Sequence, residues 1–132
     1  MISFDKVVGV HENALYLRNQ RLKTLSDNLA NSDTPHYKAK DFNFNQALKN
    51  ATAPVDRDIH LSRTNERHIK LSVAFSGIDL KYRNPFQPAL DGNTVELEVE
   101  QAKFAENAMR YQATLSFLGK KFSGIKNAFK DE

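Results

Sequence analysis

The sequence predicts a mainly α-helical fold. Two long terminal helices form a coiled-coil-like hairpin, joined by an irregular middle that holds a short helix and a β-hairpin. Two observations carry this. Residues at both ends step by alternating fours and threes, along Phe4, Val8, His11, Leu15, Arg18, Leu22, Leu25 and Leu29, then along Leu97, Gln101, Phe104, Ala108, Tyr111, Leu115, Leu118, Phe122, Ile125 and Phe129. That alternation keeps mostly apolar side chains on one narrow seam of a helix, the geometry of coiled-coil packing. The middle of the chain lacks the period and is polar and turn-rich.

The first helix is predicted from Ser3, which can cap it, to Asn31, a length of roughly 42 Å at the usual rise. Val7, Val10, Ala14 and Leu17 form a second apolar line beside the seam. The apolar arc is therefore wider than one partner helix needs. Asn31-Ser32-Asp33-Thr34-Pro35 ends the helix, because Pro35 pushes Thr34 out of the α region and Asn and Asp satisfy nearby backbone groups in turns. Asp41 is read as the cap of a short helix over about Phe42–Asn50, which sets Phe42 or Phe44 against the seam. Residues 51–67 read as loop.

Ile69, Leu71, Val73 and Phe75 alternate with polar or small residues, as do Ile78, Leu80 and Tyr82. Ser76-Gly77 between the two runs makes a hairpin signal. Asn84 to Pro88 is extended, and Asp91-Gly92 is a turn. Asn93, followed three residues later by Glu96, reads as the start of the last helix, which runs to about Lys130. Glu96, Glu98 and Glu100 open that helix and Lys120, Lys121, Lys126 and Lys130 close it, an order that complements its dipole. Gly119 and Gly124 disfavour a helix interior by about 1 kcal/mol each. Close approach of a neighbouring backbone, or fraying, would account for them. The whole is one domain, 1–132, divided into an N-terminal helical segment 1–33, a middle 34–92 and a C-terminal helical segment 93–132.

The net charge of +3 arises in the middle, since residues 1–33 and 93–132 each balance acids and bases. A nucleic-acid binder would more often gather Lys and Arg on one face; here they are interspersed with Asp and Glu. There is no cysteine. The four histidines, His11, His36, His60 and His68, have no metal-ligand spacing, and the glycines form no phosphate loop. No catalytic, cofactor-binding or metal residue is assigned. The short apolar run Val7–Val10 is not a signal peptide, and no stretch reaches the eighteen or so apolar residues of a membrane span.

Arg18 and Gln101 interrupt the seams. Arg18 either covers apolar surface with its stem while its head reaches water, or pairs with an acid on a neighbouring helix. Ala102, Ala105, Met109, Ala113 and Ser116 make a second, mostly small stripe on the last helix, suited to a second packing partner.

Ser26-Asp27-Asn28-Leu29-Ala30-Asn31-Ser32-Asp33-Thr34-Pro35-His36-Tyr37-Lys38-Ala39-Lys40-Asp41 closely resembles the signature of the bacterial flagellar rod and hook axial proteins. Asn28, Leu29, Ala30, Asn31, Thr34, Pro35 and Tyr37 carry the match. Tyr82-Arg83, Gln87-Pro88-Ala89-Leu90-Asp91-Gly92-Asn93-Thr94-Val95, Phe104-Ala105-Glu106-Asn107-Ala108 and Tyr111-Gln112 resemble the lead into the C-terminal helix of the proximal rod members. One departure stands out: the family usually has Gly where this chain has His36. Either the turn there uses negative φ or His36 adopts the left-handed region, at about 1 kcal/mol or more.

The resemblance implies a structural subunit of the proximal rod that polymerises through its terminal helices, joins the membrane ring to the rest of the rod and transmits torque. Val8, Leu15, Leu22, Leu25, Leu29, Leu97, Phe104, Tyr111, Leu115, Leu118, Phe122 and Ile125 are the expected assembly seam. The implied partners are copies of the chain, FliE at the membrane-ring base, FlgC, more distal rod subunits and the flagellar type III export apparatus. No nucleic acid and no direct membrane span are expected. The implied place is the basal-body rod in the periplasmic space, reached without a cleavable signal peptide. The alternatives are another rod or hook protein of the same class, or a basic helical nucleic-acid binder.

Overall fold

The computed structural model describes residues 4–53 and 78–129. Its elements in order are α1 (Phe4–Ala30), β1 (Lys40–Asp41), α2 (Phe44–Thr52), β2 (Lys81–Tyr82) and α3 (Leu97–Ala128). The two terminal helices, 27 and 32 residues long, pack antiparallel. Asn28 of α1 bonds Glu100 near the start of α3, and Asn107, farther along α3, bonds the carbonyl of Arg18. At the usual rise they extend about 40 and 48 Å.

The chain's apolar core sits where α2 crosses α1. Leu17, Phe42 and Ala47 are enclosed, with Phe44, Leu48, Ala51 and Ile78 packed around them. Leu17 comes from the flanking line of α1, not its seam, and Ala14 of that line is also buried. A fully buried Leu or Phe contributes about 1.5–3 kcal/mol, so this small cluster fixes α2 on α1 but makes a modest core for two such helices. Asn13 Nδ2 adds a bond to the Ala51 carbonyl at 3.4 Å.

The middle differs from expectation in three places. The short helix begins at Phe44 and is capped by Asn43, whose side chain accepts from the Gln46 amide at 3.1 Å. Asp41 is not the cap, because its carboxylate is committed to Arg21. The last helix begins at Leu97 instead of Asn93, and Glu96 at its cap position makes no side-chain capping bond. Asn93 has been drawn into a different task, set out below. The Ser76-Gly77 turn of the predicted hairpin and the loop reading from residue 54 onward lie outside the described residues, while residues 51 and 52, read as loop, belong to α2. The described strand pair is β1 with β2, antiparallel, Lys40 opposite Tyr82 and Asp41 opposite Lys81.

α3 runs without interruption through Gly119 and Gly124, so neither marks a frayed end. A Cβ placed on either would meet nothing within 4 Å. Among the described residues, then, no close backbone approach requires them.

Candidate functional site

The family-type motif closes the end of α1 through Asn28, which is fully buried. Its amide nitrogen donates to the Lys40 carbonyl at 2.7 Å and to Glu100 Oε2 at 3.1 Å. Its oxygen accepts from the Lys40 amide at 3.0 Å and the Tyr37 hydroxyl at 3.4 Å. One side chain thus pairs with the strand backbone like a short piece of sheet and ties it to α3. Asn31 steadies the turn, donating to the Asp27 carbonyl and accepting from the Thr34 hydroxyl. Leu29 is half-buried, while Ala30 and Pro35 are exposed.

Beside Asn28 lies a charge cluster drawn from four elements. Arg21 of α1 makes a two-pronged contact with Asp41, at 3.0 and 2.9 Å. Arg83, next to β2, pairs with Glu100 of α3 at 2.6 Å and stands 3.8 Å from Asp41. Glu100 is 1% exposed, so its charge depends on Arg83 and Asn28 for compensation. Burial alone would raise the Asp41 pKa. Its bonds to Arg21, with the Phe42 amide and the charge of Arg83, outweigh that and hold it below the usual carboxylate range. Arg21 is shifted up by its hydrogen bonds to Asp41. Lys103 is pushed down, first by burial and then by Arg83.

A second clasp joins the turn after α1 to the lead into α3. The Asn93 amide nitrogen donates to the carbonyls of Asn31, Ser32 and Thr34 at 3.0, 2.7 and 3.0 Å. These carbonyls belong to the turn just past Ala30, where α1 ends, and Asn93 ties that turn to the lead into α3 across 59 to 62 residues of sequence. Its oxygen accepts from the Val95 amide. Backbone bonds His36 N to Asp91 O and Thr94 N to Tyr37 O run alongside. The open question at His36 is answered by its φ of 61°, the left-handed region. Gly92 faces it at φ 73°, and a Cβ there would lie 2.9 Å from His36 Nδ1. The two positions share one tight space, which keeps 92 small.

The packed helix faces enclose polar as well as apolar side chains. On α3 the enclosed side chains are polar: Glu100 and Asn107. Asn107 donates to the Arg18 carbonyl at 2.9 Å, while its oxygen is buried without a partner. Of the seam residues, Val8 and Leu25 are buried, and Leu15, Leu22, Leu29, Phe104, Tyr111, Leu118 and Ile125 are half-buried. Leu97, Leu115 and Phe122 remain 48%, 45% and 46% exposed. The small stripe of Ala102, Ala105, Met109, Ala113 and Ser116 is exposed throughout, as is Gln101. Among the described residues Arg18 has no acidic partner, and it packs on an aromatic ring instead. Its guanidinium lies 4.2 Å over the Phe44 ring, with its pKa lowered by burial and by Arg110. Stacking of a cation on an aromatic face is worth about 0.5–2 kcal/mol.

This site is built to hold helices, with polar clasps inside and apolar residues outside. Among the described residues no cluster of His, Asp or Glu is placed to hold a metal ion, and no helix is long and apolar enough to cross a membrane. The family described as flagella basal body rod protein matches residues 9–38, which take in most of α1 and the turn after it. The similarity to curated proteins extends much further. The flagellar basal body rod protein FlgB of Aeromonas hydrophila is 44% identical over 132 residues, 99% of this chain and 98% of its own length. FlgB of Cereibacter sphaeroides is 42% identical over the full length of both, and that of Salmonella typhimurium 38% identical over 96% of this chain and 94% of its own.

The chain belongs to the FlgB family of flagellar rod proteins. It is a structural subunit of the basal-body rod. Within the FlgB family architecture seen here, the signature segment is the piece that binds α1, β1 and α3 into one unit. Sequence reasoning found Asn28 and Tyr37 through the motif but missed Arg21, Asp41, Arg83 and Glu100 as a connected group, and Asn93 as the second clasp. Asp41 and Arg83 lay in the matching segments, and their opposite charges beside two apolar runs were the available signal.

Proposed function

We propose that this chain polymerises in the proximal rod through the outward apolar faces of α1 and α3, beside copies of itself and other rod subunits. On this reading it joins the membrane ring, by way of FliE, to FlgC and the more distal rod, and carries torque across that junction. It reaches the periplasmic rod through the flagellar type III export apparatus. Its work is mechanical and not catalytic. Torque transfer needs stiffness from many simultaneous close-packed contacts, which long helices provide.

The observation that carries the proposal is the exposure of large apolar side chains on α3, Leu97, Met109, Leu115, Phe117 and Phe129, while the same helix turns Glu100 and Asn107 inward. Apolar side chains left exposed around a long helix offer area that neighbouring subunits can cover. The test is a strain carrying Leu115→Asp in place of the natural chain. An aspartate buried between subunits without a partner is strongly unfavourable. Basal bodies lacking a rod are expected; normal rods and normal swimming would overturn the seam as an assembly face.

A further inference from the structure

We infer that Asn107 is a positioning residue: its bond to the Arg18 carbonyl sets the rotation of α3 about its own axis and so keeps Leu115 outward. The role rests on the reading of α3 as an assembly face and names what orients that face. Two lines of side chains compete for the inside of α3. Both share Phe104, Tyr111, Leu118 and Ile125, all half-buried. The line that faces α1 is completed by Glu100 and Asn107, both buried, and by half-buried Thr114. The other is completed by Leu97, Gln101, Ala108, Leu115 and Phe122. Successive side chains stand about 100° apart around a helix, so the two lines differ by a roll of roughly 50°. Apolar burial alone would favour the second line, which carries more apolar area. The chain instead holds the polar line inside and leaves Leu97, Leu115 and Phe122 exposed.

Directional bonds account for that choice. Glu100 is held at the root of α3 by Asn28 and Arg83. About two turns farther on, Asn107 Nδ2 donates to the Arg18 carbonyl at 2.9 Å. Among the described residues, no side chain from 108 to 120 bonds α1, and the Thr114 hydroxyl turns back to the Arg110 carbonyl of its own helix. Asn107 is therefore the polar contact nearest Leu115. Its oxygen is buried without a partner among the described residues, which is unfavourable. An apolar side chain at 107 would carry no such unmet group, so packing does not explain the amide. What an amide supplies and an apolar side chain cannot is direction. In the alternative roll Asn107 would swing off the Arg18 carbonyl and Leu115 would turn onto α1.

The chain has no cysteine, so single thiols at 114 and 115 report the roll. Purified Thr114→Cys and Leu115→Cys proteins are labelled with a small maleimide in excess, and their rates are compared. The 115 thiol is expected to react at least about threefold faster than the 114 thiol, because access governs the rate. With Asn107→Ala added to each, the 115 thiol should slow and the 114 thiol quicken, bringing the ratio to about one or below. Helical dichroism should be unchanged. Asn107→Ser, a smaller loss of packing, should move the ratio in the same direction and serves if the alanine variant does not fold. A ratio indifferent to both substitutions overturns the role of Asn107. So does a rise in both rates together, which marks loosened packing without a roll. If the ratio is indifferent and rods are lost in the Leu115→Asp strain, the assembly face stands and the pin alone fails. If that strain builds normal rods, the face itself fails, whatever the ratio.

Discussion

Around the end of α1 the chain closes on itself through polar groups. Asn28, Asn93, Asp41, Arg83 and Glu100 are buried or nearly so, and each reaches across tens of residues of sequence. Past Asn107 the balance reverses, and Met109, Leu115, Phe117 and Phe129 stay largely exposed. The same hairpin thus uses directional bonds where it must define its own shape and leaves apolar area where it has not yet found a partner. Hydrogen bonds fix angle and register but add only about 1 kcal/mol each net. Apolar burial is non-directional and scales with area, so it suits contacts that many subunits supply at once.

Breaking the polar end should have the largest effect on the isolated chain. Arg83→Met strands the Glu100 carboxylate and is expected to cost about 3–5 kcal/mol, the usual penalty for one partner of a buried ion pair. Urea unfolding measures it, and a loss under about 1 kcal/mol would mean that water replaces Arg83 freely. Asn28→Ala follows, at about 2–4 kcal/mol, because it leaves the Lys40 amide and Glu100 short of partners. Its transition should remain a single cooperative one.

Acid probes the same cluster. The folded-state pKa of Asp41 lies below its ordinary value, so its contribution is fully present above about pH 3.9 and disappears as pH falls through the lower folded value. Stability measured against pH should therefore drop on the acid side of about pH 4, and Asp41→Asn should flatten that limb. A variant whose acid limb matches the natural chain would remove Asp41 from the account.

His36 offers the smallest effect. His36→Gly relieves a left-handed φ of 61° and empties the space against Gly92, while adding the backbone freedom of glycine to the unfolded chain. The two effects oppose each other, and a net gain of no more than about 1 kcal/mol is expected.

The helices, their order and the short helix between them were legible because each rests on local spacing. The heptad steps gave α1 and α3, and Pro35 gave the end of α1. What stayed hidden depends on partners distant in the chain. Asn93 three residues before Glu96 has the form of a helix start, yet its amide serves carbonyls of the turn that follows α1, and α3 begins at Leu97. Asp41 has the form of a cap, but a two-pronged arginine contact outcompetes a capping bond, and Asn43 takes the role. β2 lies at the end of the alternating run Ile78–Tyr82, but its partner β1 is two residues long and forty positions away, too short for alternation to announce the pairing. An apolar seam was also expected to face the partner helix within the chain. Val8 and Leu25 of that seam are enclosed, and beside it Glu100 and Asn107 are buried too; such polar positions stay hidden in the sequence because each is stable only with a partner far along the chain.

The division between a polar interior and apolar faces kept for other subunits is tested most directly by the unfolding free energy of purified Leu115→Asp. Leu115 is 45% exposed, so the account predicts a loss of no more than about 1 kcal/mol, with helical dichroism unchanged. A loss of about 3 kcal/mol or more, the mark of a charge forced into a packed interior, would place Leu115 in the chain's own core and contradict that division.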